Sequence, residues 1–364
     1  MIVNTTFDIP TQIAKGLADG SLERIGGVVR NANTKQVVTW LREVPGNSAQ
    51  IVPGLSQLTA VASILNLGVS VAGFALILQK LNQLEESLKD TQAVLEKIDR
   101  KIELGFYAKF RAAVDLANNA MLLPAPEDRK ASLHAALERF IESQYIYTGL
   151  VDDELKHQSP AVDEYWQTLA IAYLSEARCY LELEAPELSL NRLQKGASEL
   201  QPRLKQYVEI LLTSNPAAYL HPSLKEEIDL SRLTQIYQWM DPTLSENAVF
   251  DRLRDDFYGL QRYRRVDSGH KWLKSLPPAV IHRKELSGGG NQKKVQATER
   301  LPQLMDLMES LIETHRRFAA YQMELKAIAQ LGLSFQEWQA IAPTEPQPQE
   351  ATVMYLIPAE PIAI

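Results

Sequence analysis

Residues 58–78 read LTAVASILNLGVSVAGFALIL, and they lie in an uncharged run from Val44 to Gln79, in a chain that is 23% charged. At about 1.5 Å per residue, a helix over Leu58–Leu78 is roughly 31 Å long, matching the roughly 30 Å hydrocarbon core of a bilayer. Its polar groups are mild ones. The hydroxyls of Thr59, Ser63 and Ser70 can bond to their own helix, whereas Asn66 wants a partner helix or water. Gly68 and Ala72 form a small-xxx-small pair that Gly73 extends, the composition that lets two helix backbones approach closely. Leu58, Ile64, Leu67, Val69, Val71, Phe74, Leu76 and Ile77 are the side chains expected to meet lipid if the segment enters a membrane. The competing expectation is a central helix of a bundle, apolar all round because it is surrounded.

Working outward, Lys80 opens a charged segment with a heptad seam. Leu81, Leu84, Leu88, Thr91, Leu95, Ile98 and Ile102 follow at spacings of three and four, and the charges fall largely off that line. A continuous helix from about Leu55 to Phe110 has a length of roughly 80 Å. The seam requires cover, from elsewhere in the chain or from a second copy.

The 364-residue chain is long enough for several cores or one large helical domain. Its net charge of −7 gives no overall attraction to nucleic acid or anionic lipid. A single cysteine, Cys179, excludes a disulfide framework within the chain and suits a reducing compartment. The first residues (MIVNTTFDIPTQIAKG) lack the basic start and apolar run of a secretory leader, so a cytoplasmic location is expected, with membrane association on activation.

Five regions are expected. Residues 1–50 hold a β-hairpin over Ile25–Glu43, with β-branched Val28, Val29, Val37, Val38 and Thr39 around an Asn31–Lys35 turn. Residues 51–123 hold the apolar helix and coiled coil. Residues 124–265 form a helical-hairpin bundle, with helices at Glu127–Leu150, Ala161–Leu183, Glu187–Glu199, Pro202–Thr213, Pro222–Trp239 and Ser245–Arg265, punctuated by proline. The pair Tyr165–Leu183 and Leu188–Leu200 looks like one tetratricopeptide-type hairpin without a second copy. Residues 266–342 hold a basic loop, a long helix from about Asn291 to Leu331 and a short one at Ser334–Ala340. Residues 343–364 are a linker and a strand, Thr352–Ile357, expected to pair with the hairpin. The fold class is mainly α: a multi-helix bundle with one very long helix and a small β element.

Between Leu260 and Gln296 nine cations face two anions, a local +7 in a chain that totals −7. Arg262, Arg264, Arg265, Lys271, Lys274, Arg283 and Lys284, interleaved with Tyr258, Tyr263 and Trp272, form a candidate anion-binding stretch. Such a set can sit on anionic lipid or stack on a nucleic acid; it can also be a solvated loop. Leu286–Val295 (LSGGGNQKKV) resembles the signature loop of ABC-type ATPases with an extra glycine, but the GxxxxGK[ST] phosphate loop that chemistry needs is absent. Arg265…His270 and Arg129…His134 match the Arg-x4–6-His spacing of HEPN-type ribonucleases, at about the frequency composition alone produces. No HExxH, second cysteine or GxSxG occurs. No catalytic residue, metal or cofactor is therefore assigned, and an enzyme is not the expected class.

The apolar segment running into a coiled coil over Leu55–Phe110, followed by further helices, resembles the architecture of α-pore-forming toxins of the cytolysin A and tripartite-enterotoxin kind. The resemblance implies a helical bundle that hides an apolar segment until it inserts, self-association through Leu81–Ile102, and close helix contacts at Asn66, Gly68, Ala72 and Gly73. The expectation is a membrane-interacting, pore-forming or membrane-disrupting effector. The alternative is a soluble helical adaptor that binds a protein or nucleic acid, with the apolar helix as its core.

Overall fold

A computed structural model of the chain describes residues 97–213, 216–220, 224, 227–228, 230–263, 280 and 290–341. It also describes, before residue 97, positions 7–8, 15–17, 19, 21–25, 28–31, 37–40, 42–43, 74, 77–78, 81–82 and 84. The described part is mainly helical. Two small antiparallel β elements lie near the N-terminus: β2 (Leu22–Ile25), β3 (Val28–Asn31) and β4 (Val37–Trp40) pair in that order, with Val28 opposite Trp40, and β1 (Phe7–Asp8) pairs with β5 (Arg42–Glu43). The C-terminal strand expected at Thr352–Ile357 lies outside the described residues.

The bundle begins with α1 (Lys97–Ala120), whose Phe110, Ala113, Val114, Ala117 and Ala120 recur at helical spacing and are all fully buried. Pro126 opens α2 (Pro126–His157), where its fixed φ suits a first helical position and its missing N–H would have had no partner. Glu127 and Asp128 sit at the positive end of that helix and Lys156 and His157 at the negative end. It stops at Gln158, in the left-handed region at φ 51°, where the Ser159 N–H reaches back to the Glu154 carbonyl at 3.0 Å.

Next come α3 (Val162–Glu182) and α4 (Pro186–Leu212). In α3 every residue from Val162 to Cys179 is buried, so this helix, not a described part of 58–78, is the centre of the described bundle. The sequence punctuation at Pro202 misleads: a helix end is expected there, but α4 runs through it. Packing wins over the lost N–H, because Leu200, Leu204, Tyr207, Val208 and Leu211 continue the same buried face across the proline. A 3-10 turn (Pro216–Leu220), α5 (Leu230–Met240) and α6 (Glu246–Tyr263) follow. Then α7 (Gly290–Leu331) ends at Gly332, whose φ of +64° favours glycine, and Ser334 and Glu337 cap α8 (Phe335–Ile341) reciprocally at 2.7 and 3.2 Å.

Each long helix packs on the next: α1 on α2, α2 on α3, α3 on α4, and α4 on α7, which also meets α5. An aromatic column ties the first three, with ring centroids 5.9 Å apart for Phe110–Phe140, 6.1 Å for Phe110–Tyr147 and 6.2 Å for Tyr147–Tyr165. The Trp166 indole N–H donates to the Leu200 carbonyl at 3.1 Å, pinning α3 to α4.

Candidate functional site: the seat of the apolar segment

Phe74, Ile77, Leu81 and Leu84 are in helical conformation, are at most 3% exposed, and belong to the same hydrophobic core as the bundle. Their spacing of three, four and three is one stripe of a helix. Leu78 is half-buried and Asn82 exposed. At about 100° per residue, the four buried side chains cover an arc of roughly 80°, and Asn82 lies roughly 80° beyond Phe74. This end of the segment therefore lies on the bundle by one face, and the other face reaches solvent at Asn82.

The contact with α1 is specified by a polar group. The Tyr107 hydroxyl, on a side chain 5% exposed, donates to the backbone carbonyl of Leu81. A carbonyl has two lone pairs, so it can accept this bond and a helical one together. Sequence patterning misses Tyr107: nothing in its spacing separates a hydroxyl aimed at a backbone from a ring that fills space.

Of the residues singled out for lipid contact, Phe74 and Ile77 are thus placed in the core. Leu58, Ile64, Leu67, Val69, Val71 and Leu76 lie outside the described residues, as do Asn66, Gly68, Ala72 and Gly73. Of the seam, Leu81 and Leu84 pack within the chain; Leu88 and Leu95 lie outside the described residues, and Ile98 and Ile102 are described as α1 backbone only. In the basic stretch, Arg262 is on α6 as backbone, and Arg264, Arg265, Lys271, Lys274, Arg283 and Lys284 lie outside the described residues. Within that stretch Val280 is fully buried in the core, so one point between the cations is anchored to the bundle.

A second cluster, unread in the sequence, crosses the middle of the bundle. Glu176 of α3 is fully buried; Gln144 Nε2 of α2 donates to its Oε2 at 2.7 Å, and Arg192 Nε of α4 lies 2.7 Å from its Oε1 as an ion pair. At the other end of α3, Asp163 and Glu164 are adjacent and almost inaccessible, at 3% and 2% exposure. Burial, then the neighbouring Glu164 carboxylate, hold the Asp163 carboxyl well above the usual range, so one proton is retained there. Burial likewise pushes the Tyr173 hydroxyl up to about 12 and raises the Cys179 thiol, which makes that thiol unreactive. His315, edge-on to Trp239 and within 3.3 Å of the Ala197 carbonyl, is held neutral chiefly by burial.

Glu176 with Gln144 and Arg192 joins α2, α3 and α4, and His315 joins α7 to α4 and α5. Arg129, of the HEPN-like spacing, donates to the Leu123 carbonyl at 3.1 Å, where it clasps the turn before α2. Among the described residues no group of histidine, cysteine and acidic side chains could hold a metal ion, and no helix is long and apolar enough to cross a membrane. The chain matches no protein-family model, no curated protein and no solved structure.

Proposed function

We propose that this chain is a membrane-interacting helical protein that keeps an apolar helix covered on its own bundle and delivers it to a lipid surface, where copies assemble and disrupt the bilayer. The supporting observation is the one-faced seating of Phe74, Ile77, Leu81 and Leu84 beside exposed Asn82. Carried toward the N-terminus at the same spacing, that stripe passes through Ser70, Leu67 and Ser63, small or polar for the most part. In that projection of the sequence the aliphatic Ile64, Leu65, Val69 and Leu76 fall off the line. In a helical projection of the sequence the line through Phe74 and Ile77 is thus the less apolar one, and a segment with that pattern wants a second apolar surface, which a bilayer supplies.

Magnitudes constrain the route. Four large apolar side chains are worth about 1.5–3 kcal/mol each when fully buried, so lifting the stripe into water costs on the order of 10 kcal/mol. Release therefore has to be coupled to lipid or to a second copy through the seam. The Leu260–Gln296 stretch is the natural contact for anionic headgroups. The protein would act from the cytoplasm.

A helical adaptor with the segment as ordinary core is the second reading, favoured by the complete burial of Leu81 and Leu84. Co-flotation and dye release with phosphatidylcholine vesicles, with and without phosphatidylglycerol, separate the two. Retention with leakage, lost when Gly73 is replaced by lysine in a protein that still folds, supports the membrane reading. No retention at neutral or mildly acid pH leaves the adaptor.

A further inference from the structure

The last turn of α5 is held through one ring, Trp239, which Lys205 of α4 and His315 of α7 both approach. Lys205 Nζ donates to the Met240 carbonyl at 2.8 Å and lies 6.0 Å from the centre of the Trp239 ring. His315 meets the same ring edge-on at 5.7 Å. Its Nε2 is 3.3 Å from the Ala197 carbonyl of α4. A carbonyl only accepts, so the neutral imidazole carries its proton on Nε2, and Nδ1 is the atom that acid fills.

A proton on Nδ1 puts a third cation at this junction. Lys205 acts on it from α4 and Arg316 from α7. From α5 it meets the uncharged Trp239 ring, which the Lys205 ammonium already approaches. Asp241, just beyond α5, is exposed and accepts from the Thr243 N–H and hydroxyl. Glu313, two residues before His315, pairs with Arg317 at 2.6 Å. The first turn of α5 is anchored differently: Arg232 pairs with Asp306 and Glu309 of α7. One end of α5 therefore rests on an ion-pair cluster and the other on a ring that titrates.

We infer that His315 is an acid-sensitive latch for the C-terminal end of α5: protonation at Nδ1 adds a cation beside Lys205 and Arg316 and releases Trp239 and Met240 from α4 and α7, while Arg232 keeps the other end in place. His315 acts here as a positioning residue. The latch is a property of the free protein and stands independently of the proposed function. Its direction follows from the surroundings of the ring. Burial, the largest influence, disfavours the charged form; the Ala197 carbonyl favours it, and Lys205 and Arg316 disfavour it again. Above the ordinary imidazole value of 6.5 neither the closed nor the open form is protonated. Below it the open form takes a proton that the closed form refuses, and the latch weakens until the closed form is protonated too.

The test is peptide-level hydrogen exchange on the full chain at pH 8 and pH 5, expressed as protection relative to the intrinsic rate at each pH. Protection over residues 234–244 is expected to fall severalfold at the lower pH, by at most about tenfold per pH unit, while α3 keeps its protection. His315→Gln retains an amide donor for the Ala197 carbonyl, and His315→Phe retains a ring against Trp239; neither takes up a proton. Both variants are expected to show the same protection over 234–244 at the two pH values. Equal protection of the wild-type protein at both pH values overturns the latch. So does an acid loss that survives in both variants, or one that spreads uniformly to α3.

Discussion

Asp163 carries the clearest consequence of burial at the scale of single residues. Its carboxyl titrates well above the ordinary 3.8, so below that value both native and unfolded chains are protonated and nothing is lost. Above it the unfolded chain ionises while the native one keeps its proton, and stability falls with rising pH until the native group also ionises. Each pH unit of that window costs about 1.4 kcal/mol. Asp163→Asn is therefore expected to melt higher than wild type at pH 8 and no higher at pH 4, as thermal denaturation followed by circular dichroism would register; a melting difference independent of pH contradicts the assignment. Glu176 makes the opposite case, a buried charge with partners. Arg192→Ala strands a carboxylate that is 0% exposed and is expected to cost about 3 kcal/mol. The double variant Glu176→Gln with Arg192→Met, which leaves no charge behind, is expected to recover most of that loss in urea titrations. The sequence conceals both sites, because a charge on a helix that is buried all round looks the same in sequence as one that faces solvent.

Among elements, the meeting of α3, α4 and α7 depends on one missing side chain. A Cβ on Gly196 would come within 2.8 Å of Tyr173 Cγ and 3.0 Å of Phe318 Cε1, both ring atoms of fully packed residues. Gly149 of α2 meets nothing within 4 Å. Gly149→Ala is expected to stabilise by about 0.5–1 kcal/mol through helix propensity, whereas Gly196→Ala is expected to destabilise by about 1–3 kcal/mol by overpacking; equal shifts of the urea midpoint in the two variants would refute the close approach. Helix existence was legible at this scale. The expected Ala161–Leu183, Ser245–Arg265 and Asn291–Leu331 correspond to the observed Val162–Glu182, Glu246–Tyr263 and Gly290–Leu331, since apolar periodicity and flanking Pro, Ser and Gly are local signals. Pro202 was not legible, because its penalty is offset by contacts from Leu200 to Leu211 that involve residues far away in sequence. The expected end of the second helix at Leu150 falls two turns short, as Val151 and Leu155 continue its buried face to His157.

For the whole molecule, the bundle is a stack in which each long helix covers its predecessor, with α3 enclosed. That layout answers part of what the apolar stretch posed. The seam's first residues find their cover within the chain at Tyr107 and its neighbours, a pairing that the heptad pattern required but could not name. What the pattern could not carry is direction: periodicity ranks faces by hydrophobicity, and it does not say that Phe74 and Ile77 face the bundle. The measurement that tests the central claim most directly is hydrogen exchange of the wild-type protein with and without phosphatidylcholine–phosphatidylglycerol vesicles. If the apolar helix leaves its seat for lipid, residues 105–120 of α1 exchange faster as Tyr107 loses its partner at Leu81, while residues 58–78 become more protected. If both stretches exchange at the same rate with vesicles as without, the segment is a permanent part of the core and the account is wrong.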